Sequence, residues 1–421
     1  MTNIKQILFV LMLTAFSGVV VAQNNTNSPY TRYGFGQLTD PGSGNSKAMG
    51  GVAYGLRDHL QVNFANPASY SCVDSLTFIF DGGLGLQNTN FSNGEVKMNA
   101  HNSSVDYITM QFRASKWCGV SLGLLPYSNV GYNFSNYQKN ETDPQNSTLV
   151  TYLGEGGLHQ VYIGAGFKLM KNLSVGANIS YLWGDIARER TQSFVSNSSA
   201  NGLTTTTNVS IESYKLDLGL QYTQKLSDKR TLTLGAVFSP GHDLANQTYV
   251  QDVLSSGSGS ANSVTVRDTS TVFSLPTTIG VGLAYKYDNR LTIAADFMTQ
   301  NWSKAKYMGQ DNVMCNRTRI SVGAEYQPNP LGRSYFSVIK YRIGAHYSKP
   351  YYKIDGVDAA KEYGVSFGFG LPVATSRSLV SLTAQYVRTS GKMNSFLNEN
   401  TLRICIGVTF NERWFFKSKV N

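Results

Sequence analysis

Apolar and polar side chains alternate with a period of two along most of the chain after about residue 75. Residues 173–181 show the pattern clearly, because the odd-numbered positions are apolar or aromatic and the positions between them are small or polar. Residues 214–223 repeat the pattern, with Lys215 and Asp217 on the polar face. A period of two is typical of β-strands that have one apolar and one polar face. This part of the chain is therefore predicted to be all-β.

The same alternation predicts fourteen strands. Their bounds are 75–87, 103–115, 117–134, 158–170, 172–185, 208–224, 230–245, 274–287, 290–302, 317–327, 336–348, 361–371, 377–388 and 401–410. Of the thirteen connections between them, seven are long and six are short, and the two kinds alternate along the first part of the chain. Short turns at one end and long polar loops at the other are typical of a transmembrane β-barrel.

An antiparallel barrel of fourteen strands is therefore the predicted fold, occupying residues 73–410. It must be closed, because unpaired backbone groups in lipid cost several kcal/mol each. A soluble β-sandwich or a large periplasmic barrel remains an alternative, in which the alternation marks a dry core. The charges opposite so many apolar faces, and the alternation of loop lengths, favour the membrane barrel.

The first 22 residues have the pattern of an export signal. Lys5 supplies the positive charge, residues 7–21 are mainly apolar, and small residues precede Gln23. Such a segment is removed after export, although a single membrane anchor is the competing interpretation. Together with the barrel pattern, it predicts a location in the bacterial outer membrane, surrounded by lipid.

Composition excludes several classes of protein. Only 15% of the residues are charged and 12% are aromatic, whereas disordered chains are rich in charge and poor in aromatic residues. A negative mean hydropathy, with no long apolar run after the N-terminus, argues against a helical membrane protein. The net charge of +10 is spread along the chain without a basic run, so nucleic-acid binding is not predicted.

Cysteine and histidine positions suggest no metal site, and no cofactor is expected. The four cysteines form no C-x-x-C element, so one disulfide is allowed but not indicated; they are Cys72, Cys118, Cys315 and Cys405. The five histidines form no metal-binding pattern either. A barrel hydrolase needs a histidine beside a serine on the outer face, whereas His346 is predicted to point inward. The chain is therefore not expected to be an enzyme.

The polar face of each strand is predicted to line the lumen of the barrel. Ten charged residues fall on this face: Arg113, Lys215, Asp217, Lys286, Asp296, Arg319, Glu325, Lys340, Arg342 and Arg403. Seven are positive and three are negative, and such a field favours anions or acidic headgroups. The alternative is that these charges pair with one another and with a plug.

Residues 23–72 are predicted to form that plug. They lack strand periodicity, and they are rich in Gly, Asn and Pro, as in the run Tyr33-Gly34-Phe35-Gly36. They also carry enough apolar residues to pack inside a barrel, and a barrel of this width needs water or a plug within it. An independent flexible leader is the competing interpretation.

Several motifs resemble the FadL family of outer-membrane transporters, which includes the TodX proteins. They are the run from Ala48 to Ala53 with Asn66-Pro67-Ala68, the segment from Leu275 to Tyr285, and Tyr341 to Ala345 with the segment from Tyr363 to Leu371. The resemblance implies a fourteen-stranded barrel with an N-terminal hatch. It also implies passive uptake of long-chain fatty acids or other small hydrophobic ligands. Hatch and gating residues would then be Gly50, Gly51, Asn66, Pro67 and Ala68.

In that family, ligand leaves sideways through an opening at a kink in the third strand, which here is residues 117–134. The alternation of this strand breaks at Pro126, Tyr127, Ser128, Asn129 and Gly131. Proline has no N–H for the ladder and is confined to strand edges or bulges, so the residues themselves also predict a gap here. An ordinary bulge near the rim is the alternative.

Two features depart from the family pattern. The long loops 135–157 and 186–207 are rich in Asn, Ser and Thr rather than apolar, which leaves the ligand open. Residues 411–421 continue past the last predicted strand and are expected to form a basic periplasmic tail. An alternative function is that of a plugged barrel acting as a shuttle or accessory in protein secretion, with protein partners instead of a small ligand.

Overall fold

The architecture is that of a computed structural model of the chain. It describes residues 25–93, 97–141, 147–195, 200–255, 261–268, 271–354, 356–373, 377–391 and 397–413. The predicted export signal and most of the predicted tail lie outside these residues. No helix in the described ranges is both long and apolar enough to cross a membrane.

Strands dominate the described residues. In chain order they are β1 (Gln37–Leu38), β2 (Thr77–Ser92), β3 (Lys97–Arg113), β4 (Cys118–Gln138), β5 (Thr148–Lys168), β6 (Leu173–Phe194), β7 (Gly202–Ser227), β8 (Arg230–Ser239), β9 (His242–Leu244), β10 (Asn246–Ser255), β11 (Ala261–Asp268), β12 (Phe273–Leu275), β13 (Thr278–Tyr287), β14 (Leu291–Gln300), β15 (Arg317–Tyr326), β16 (Lys340–Ser348), β17 (Lys353–Ile354), β18 (Val357–Asp358), β19 (Lys361–Pro372), β20 (Leu379–Ser390) and β21 (Asn398–Arg413). Short helical turns occupy Pro29–Arg32, Gly44–Ala48, Pro67–Cys72, Trp302–Lys304 and Tyr335–Val338.

Fourteen of these strands form one closed antiparallel barrel. Each barrel strand pairs with its neighbour in sequence, and β2 closes the ring by pairing with β21 from Thr77↔Arg413 to Ser92↔Asn398. The remaining strands, β1, β9–β12, β17 and β18, belong to the plug or to the long connections. The prediction of a fourteen-stranded all-β barrel is confirmed.

The outward face of the barrel is an apolar band. Large apolar side chains point outward and stay exposed on strands around the ring, as at Ile179, Ile343 and Phe367, which are 61%, 62% and 47% exposed. Residues between them, such as Asn178 and Arg342, are buried in the lumen. An apolar exterior around a polar interior is the arrangement of a transmembrane β-barrel.

The predicted long loops are shorter than the sequence pattern indicated. In the region predicted as loop 88–102, β2 continues to Ser92 and β3 begins at Lys97; β4 to β7 also extend into predicted loops. These extensions contain many Asn, Ser and Thr residues, so the alternation of apolar and polar positions weakens, although Phe91 and Val150 within them are buried. The last strand likewise runs to Arg413 rather than to residue 410.

The segment before the first barrel strand, residues 25–76, lies inside the barrel, and we call it the plug. Its side chains and backbone bond to strands on all sides of the ring: Ser28 to Glu399, Asp40 to Arg317, Lys47 to Asp106, Tyr54 to Asp296 and Tyr70 to Asn178. A segment that contacts opposite walls of a closed barrel occupies its interior. The plug is thus positioned by contacts that lie far away in sequence.

Candidate functional site

Four glycines form a row across the inner wall on the side of the barrel with short turns. Gly119, Gly166, Gly176 and Gly219 are successive register partners on β4, β5, β6 and β7, and we call them the glycine row. A Cβ added at Gly176 would lie 2.4 Å from the carbonyl carbon of Pro67. A Cβ at Gly119 would lie 2.0 Å from the Tyr70 carbonyl oxygen. The helical turn Pro67–Cys72 therefore rests directly on strand backbone, which only glycine permits.

Asn66 fixes the start of this turn. Its side-chain oxygen accepts from the Ala68 N–H at 3.2 Å, and its amide donates to the carbonyl oxygens of Tyr54 at 2.8 Å and Leu220 at 3.3 Å. The residue is completely buried. Its amide thus joins two parts of the plug to the wall at β7. The predicted hatch residues Asn66, Pro67 and Ala68 are brought together here.

Gly50 and Gly51 form a second tight contact on the opposite wall. Both have positive φ angles, +72° and +89°, and a Cβ at Gly50 would lie 2.6 Å from the Ala345 carbonyl oxygen. The Gly50 N–H donates to Ser366 Oγ at 2.8 Å. These two predicted hatch residues therefore lie in a turn pressed against the wall, away from Asn66.

Backbone amides near this turn bind Asp296 of the barrel. One carboxylate oxygen accepts from the N–H groups of Ala53 at 2.6 Å and Tyr54 at 2.8 Å. A carboxylate that accepts several backbone N–H groups forms strong, charge-assisted bonds. Asp296 therefore holds the plug backbone by hydrogen bonds. Its carboxylate is occupied by these bonds and is not available to a cargo.

Asp40 joins the outer part of the plug to β15. Its carboxylate accepts from Arg317 at 2.7 Å and also from Arg319, which in turn donates to the Gly50 carbonyl oxygen. Burial opposes ionisation of Asp40, but the charges of Arg319 and Arg317 outweigh burial and hold the pKa of Asp40 below its ordinary value. The ion pair is therefore intact at neutral pH.

Most of the predicted lumen charges pair within the lumen. Lys215 pairs with Asp217, and Glu325 accepts from Arg342 at 2.7 Å and lies 3.4 Å from Lys340. The guanidinium groups of Arg113 and Arg403 donate to neutral oxygens, and Lys286 contributes charge near Asp58. The pairing neutralises most of these charges, whereas Arg113 and Arg403 keep an uncompensated positive charge.

The barrel wall is incomplete between β3 and β4. Their ladder contains six pairs, from Ile108↔Leu124 to Arg113↔Gly119, although both strands continue well beyond them. Farther up, β3 is paired with β2 and β4 with β5, so the two edges that face each other carry no described mutual pairing. This interrupted seam lies in the half of the barrel that carries the long connections.

Both strands are irregular where their pairing stops. In β4 the register shifts between Pro126 and Ser128, which leaves Tyr127 unpaired with β5. One extra residue inverts the alternation, so Leu125 faces inward below the bulge and Val130 faces inward above it. On β3 the register with β2 skips Asp106, whose carboxylate lies 2.5 Å from Lys47 of the plug.

The plug occupies the free edge of β4. Gln37 and Leu38 (β1) pair with Asn129 and Ser128, where β3 would otherwise continue the wall. Lower down, the Thr39 N–H donates to the Tyr127 carbonyl oxygen at 2.9 Å. The predicted kink residues therefore contact the plug directly.

On the side of β1 toward the long connections, the hydroxyl group of Thr31 makes the next contact between the plug and β4. Thr31 Oγ1 accepts from the Gly131 N–H at 3.2 Å and lies 3.2 Å from the Gly131 carbonyl oxygen. The edge from Tyr127 to Gly131 is thus covered by two paired residues and a few further hydrogen bonds.

Next to this edge, Phe35 of the plug enters an aromatic cage formed by Phe273, Trp302, Tyr307 and Tyr351. The ring centroids of the first three lie 5.7–5.9 Å from that of Phe35. The Tyr351 hydroxyl accepts from the Phe35 N–H at 2.9 Å and donates to the Gly36 carbonyl oxygen at 2.5 Å. Phe35 as a whole is 1% exposed.

Two glycines allow this insertion. Gly34 and Gly36 have φ angles of +58° and +85°, and a Cβ at Gly36 would lie 2.4 Å from the Asn129 carbonyl oxygen. The cage belongs to a larger apolar cluster that includes Val130 and Tyr132 of β4. The aromatic cage and the interrupted seam are therefore contiguous.

Two cavities lie inside the barrel, one beside the seam and one at the short turns, and polar groups line both. One, of about 110 Å³, is lined by charged residues that include Asp40, Arg319 and Glu362. The other, of about 310 Å³, lies at the short turns and is lined by basic residues that include Arg57 and Lys168. A site for a small organic ligand is usually an apolar cavity of about 300–1,000 Å³, so neither cavity has the character of a ready-made hydrophobic pocket.

Metal-ligand types and thiols are scattered through the described ranges. These ranges contain no cluster of three or more His, Cys, Asp or Glu side chains suited to a metal ion. All four cysteines are free thiols. Burial raises the pKa of the Cys72 thiol to about 11, so it is protonated at neutral pH.

Several residues of the site were not singled out from the sequence. The four glycines of the glycine row come from four different strands, and only strand register brings them into line. Asp40 and the partners of Phe35 also lie far apart in sequence. The run Tyr33-Gly34-Phe35-Gly36 was the one local signal, because a bulky residue between two glycines suggests an inserted side chain.

A family model described as BamG matches residues 3–421 of the chain. Among curated proteins, none matches it. Solved structures with the same fold include the P. putida toluene transporter TodX, at 16% identity and a TM-score of 0.61, over 90% of this chain and 99% of that one. The Ralstonia pickettii toluene transporter TbuX has 14% identity and a TM-score of 0.59, covering 89% and 99%.

A Pseudomonas aeruginosa FadL homologue is also similar, at 12% identity and a TM-score of 0.57, over 90% of this chain and 99% of that one. At these identities the likeness concerns the fold. The resemblance to FadL and TodX barrels noted from the sequence is confirmed at that level.

Proposed function

The chain belongs to the BamG family, and we propose that it provides a passive path for small hydrophobic compounds across the outer membrane. The contiguity of the aromatic cage and the interrupted β3–β4 seam carries this proposal. In this arrangement an apolar ring-binding site opens toward a gap in the barrel wall. The wall there is completed by the plug rather than by a strand of the barrel.

The cage supports an aromatic or other compact apolar cargo. Phe35 already places a benzyl group against three aromatic rings, so an apolar ring of similar size would gain the same contacts after Phe35 withdraws. The toluene transporters TodX and TbuX share the fold, which is consistent with such a cargo. A long-chain fatty acid is the second cargo class, and its chain would follow the apolar cluster beyond the cage.

We assign the long connections to the outer surface and the short turns to the periplasm, as is usual in outer-membrane barrels. Residues 1–22 act as the export signal in this proposal. A compound then enters among the long connections, passes the cage and leaves sideways between β3 and β4 near Pro126. No cofactor or covalent step is required.

The part of the plug that moves is residues 30–39. Their contacts with β4 consist of two paired residues and a few hydrogen bonds, and withdrawal of this segment would empty the cage and uncover the seam together. Gly50, Gly51, Asn66, Pro67 and Ala68 hold the remainder of the plug on the wall. They serve as the fixed points of the hatch in this proposal.

A reversible cross-link tests the path. In a variant with the native cysteines replaced by serine, Leu38→Cys and Ser128→Cys place two thiols at partner positions of β1 and β4. Oxidation is expected to abolish uptake of radiolabelled toluene by cells that carry the variant, and a reductant should restore it. A second arm uses radiolabelled oleate, which distinguishes the two cargo classes.

The control is a cross-link at Val380→Cys and Val408→Cys, which are partners on β20 and β21 away from the seam. Oxidation of this pair should leave uptake unchanged. Uptake that is equal with the plug locked and unlocked would overturn the lateral path.

A second candidate function is that of a barrel that supports protein secretion through protein partners. The observation that favours it is the filled interior: Phe35 occupies the cage, and charged groups line the cavity beside it. In this case neither toluene nor oleate would be taken up through the barrel, whether the plug is locked or free.

A further inference from the structure

We propose that the cavity of about 310 Å³ at the short turns is a binding site for a phosphate group. We call it the basic cavity. It adjoins the end of the helical turn Pro67–Cys72 and lies away from the aromatic cage and the interrupted seam. The inference therefore does not depend on the cargo of the barrel or on the lateral path.

In the described ranges, the charged side chains that line the basic cavity are all positive. They are Arg57 of the plug, Arg113 at the end of β3, Lys116 in the turn that follows, Lys168 at the end of β5 and Lys171 in the next turn. The three lysines are exposed, so the cavity is open to solvent at this end. Charges of one sign around a concave surface concentrate their field and attract the opposite charge.

Carboxylates of the protein do not neutralise these cations. Among the described residues, none of the five takes part in an ion pair. Two acidic residues, Asp58 and Asp74, lie near Cys72 of the cavity wall. Each has its own partner, since Asp58 lies 3.5 Å from Lys340 and Asp74 lies 3.0 Å from Arg377. The positive charge of the cavity therefore remains available to a ligand.

The guanidinium group of Arg57 is held in position by neutral oxygens. It donates to Gln221 Oε1 at 3.1 Å and to Ser71 Oγ at 2.9 Å. These bonds restrict the side chain of Arg57 but leave its charge uncompensated. A ligand that binds here does not have to order this side chain first, which lowers the cost of binding.

Arg113 is fixed in the same way on the barrel wall. It donates to the carbonyl oxygens of Val73 at 3.3 Å and Lys116 at 2.7 Å. The two arginines thus hold the plug and the β3–β4 turn around one cavity.

The chemistry of the wall favours phosphate over a single carboxylate. A phosphate group carries a charge of about −1.5 to −2 and several acceptor oxygens, whereas a carboxylate carries one charge. Five cations and the hydroxyl groups of Ser71, Ser174 and Thr223 line the basic cavity, and hydroxyl groups can donate to phosphate oxygens. Arginine also matches the geometry of phosphate oxygens.

The phosphate group can belong to a lipid or to a soluble molecule. Leu169 and Met170 lie between Lys168 and Lys171 and are 60% and 67% exposed. Apolar side chains beside lysines at the end of a membrane strand suit the level of the lipid headgroups. The open cavity is equally accessible to free phosphate from the periplasm, in the orientation proposed above. Either source would join the short turns to the fixed end of the plug.

Native mass spectrometry of the full-length protein, purified in an uncharged detergent, tests the proposal. Inorganic pyrophosphate and dihexanoyl phosphatidylglycerol are titrated separately, and dihexanoylglycerol is the control without phosphate. Saturable binding of one molecule of a phosphate probe, without binding of the control, is expected. Tighter binding of pyrophosphate assigns the site to soluble phosphate, and tighter binding of the lipid assigns it to a headgroup. Absence of saturable binding by both phosphate probes would overturn the proposal.

Two pairs of lysines separate a specific site from a general attraction. The variant K168Q/K171Q removes two exposed cations from the basic cavity and should weaken binding about tenfold. The matched control K225Q/K229Q makes the same change in charge at the neighbouring short turn, outside the cavity. Its affinity should equal that of the unchanged protein. Equal weakening by both variants would contradict a specific site.

The thiol of Cys72 reports the position of the ligand, because this residue lines the basic cavity. In a variant with Cys118→Ser, Cys315→Ser and Cys405→Ser, it is the only thiol of the chain. At a probe concentration about ten times the dissociation constant, about nine-tenths of the sites are filled, so alkylation of Cys72 by N-ethylmaleimide should slow about tenfold. Binding that leaves the alkylation rate unchanged would place the phosphate group elsewhere and overturn the assignment.

Discussion

The plug touches β4 at two places, and the two contacts differ in kind. Toward the short turns, the Tyr70 carbonyl lies directly against Gly119, at one end of the glycine row, with no side chain between the two backbones. Toward the long connections, Gln37 and Leu38 pair with the β4 edge through a two-residue ladder. The first contact is part of a wide backbone surface, and the second is a short local addition.

The difference shows how one segment combines a fixed and a removable part. Contacts made by packed backbone and by buried Asn66 are lost only together, because the helical turn rests on four strands at once. With β4, the contacts of residues 30–39 are a few hydrogen bonds, each worth about 0.5–1.5 kcal/mol, and the largest other contact of this segment is Phe35 in the aromatic cage. We expect the outer part of the plug to open first once Phe35 leaves the cage.

Filling the glycine row should have the largest effect. Gly176→Ala places a methyl group within 2.4 Å of the Pro67 carbonyl carbon, so the helical turn Pro67–Cys72 must shift. Overpacking of this kind costs about 1–3 kcal/mol. Trypsin cleavage of the folded barrel after Arg57 is expected to accelerate by about tenfold.

Gly202→Ala is the matched control, because a Cβ there meets one backbone oxygen at 3.3 Å. Its cleavage rate should equal that of the unchanged protein. If Gly176→Ala also leaves the plug protected, the glycine row is not what fixes it.

Removing the Asn66 side chain should have an intermediate effect. Asn66→Ala deletes three hydrogen bonds and leaves the buried carbonyl groups of Tyr54 and Leu220 without this donor. A buried group without its partner costs about 1–3 kcal/mol. Uptake of toluene should fall while the barrel still assembles and migrates as a folded species on a gel.

The comparison variant is Asn172→Ala, whose side chain bonds to Gln224 at the exposed surface. Normal uptake by Asn66→Ala would show that this residue has no part in holding the hatch.

Loosening the outer contact should have the smallest effect on stability and the opposite effect on transport. Thr31→Val keeps the shape of the side chain and removes the hydroxyl that bonds to Gly131. A loss of about 1 kcal/mol corresponds to exchange of the Gly131 amide that is about fivefold faster. Uptake should rise if opening of residues 30–39 limits it. Decreased uptake would contradict this assignment, because it would mean that residues 30–39 must stay attached to β4 for transport.

The fold was largely predictable because it depends on a local periodicity. Lipid outside and a packed lumen inside impose alternation on each strand separately, so the number of strands and their order can be counted along the chain. The predicted strands ended too early at loops such as 88–102, because the strand extensions there are rich in polar residues and carry little apolar–polar alternation.

The sequence by itself also predicted an irregularity of β4 at Pro126, since proline and the broken alternation both act locally, and the strand has a one-residue bulge there. Tertiary structure alone decided what fills the gap. Gln37 meets Asn129, Phe35 meets Trp302, and the glycines of four strands align, because strand register and ring closure bring distant residues together. Their partners are specified by the geometry of the whole barrel, and no short stretch of the chain contains that geometry.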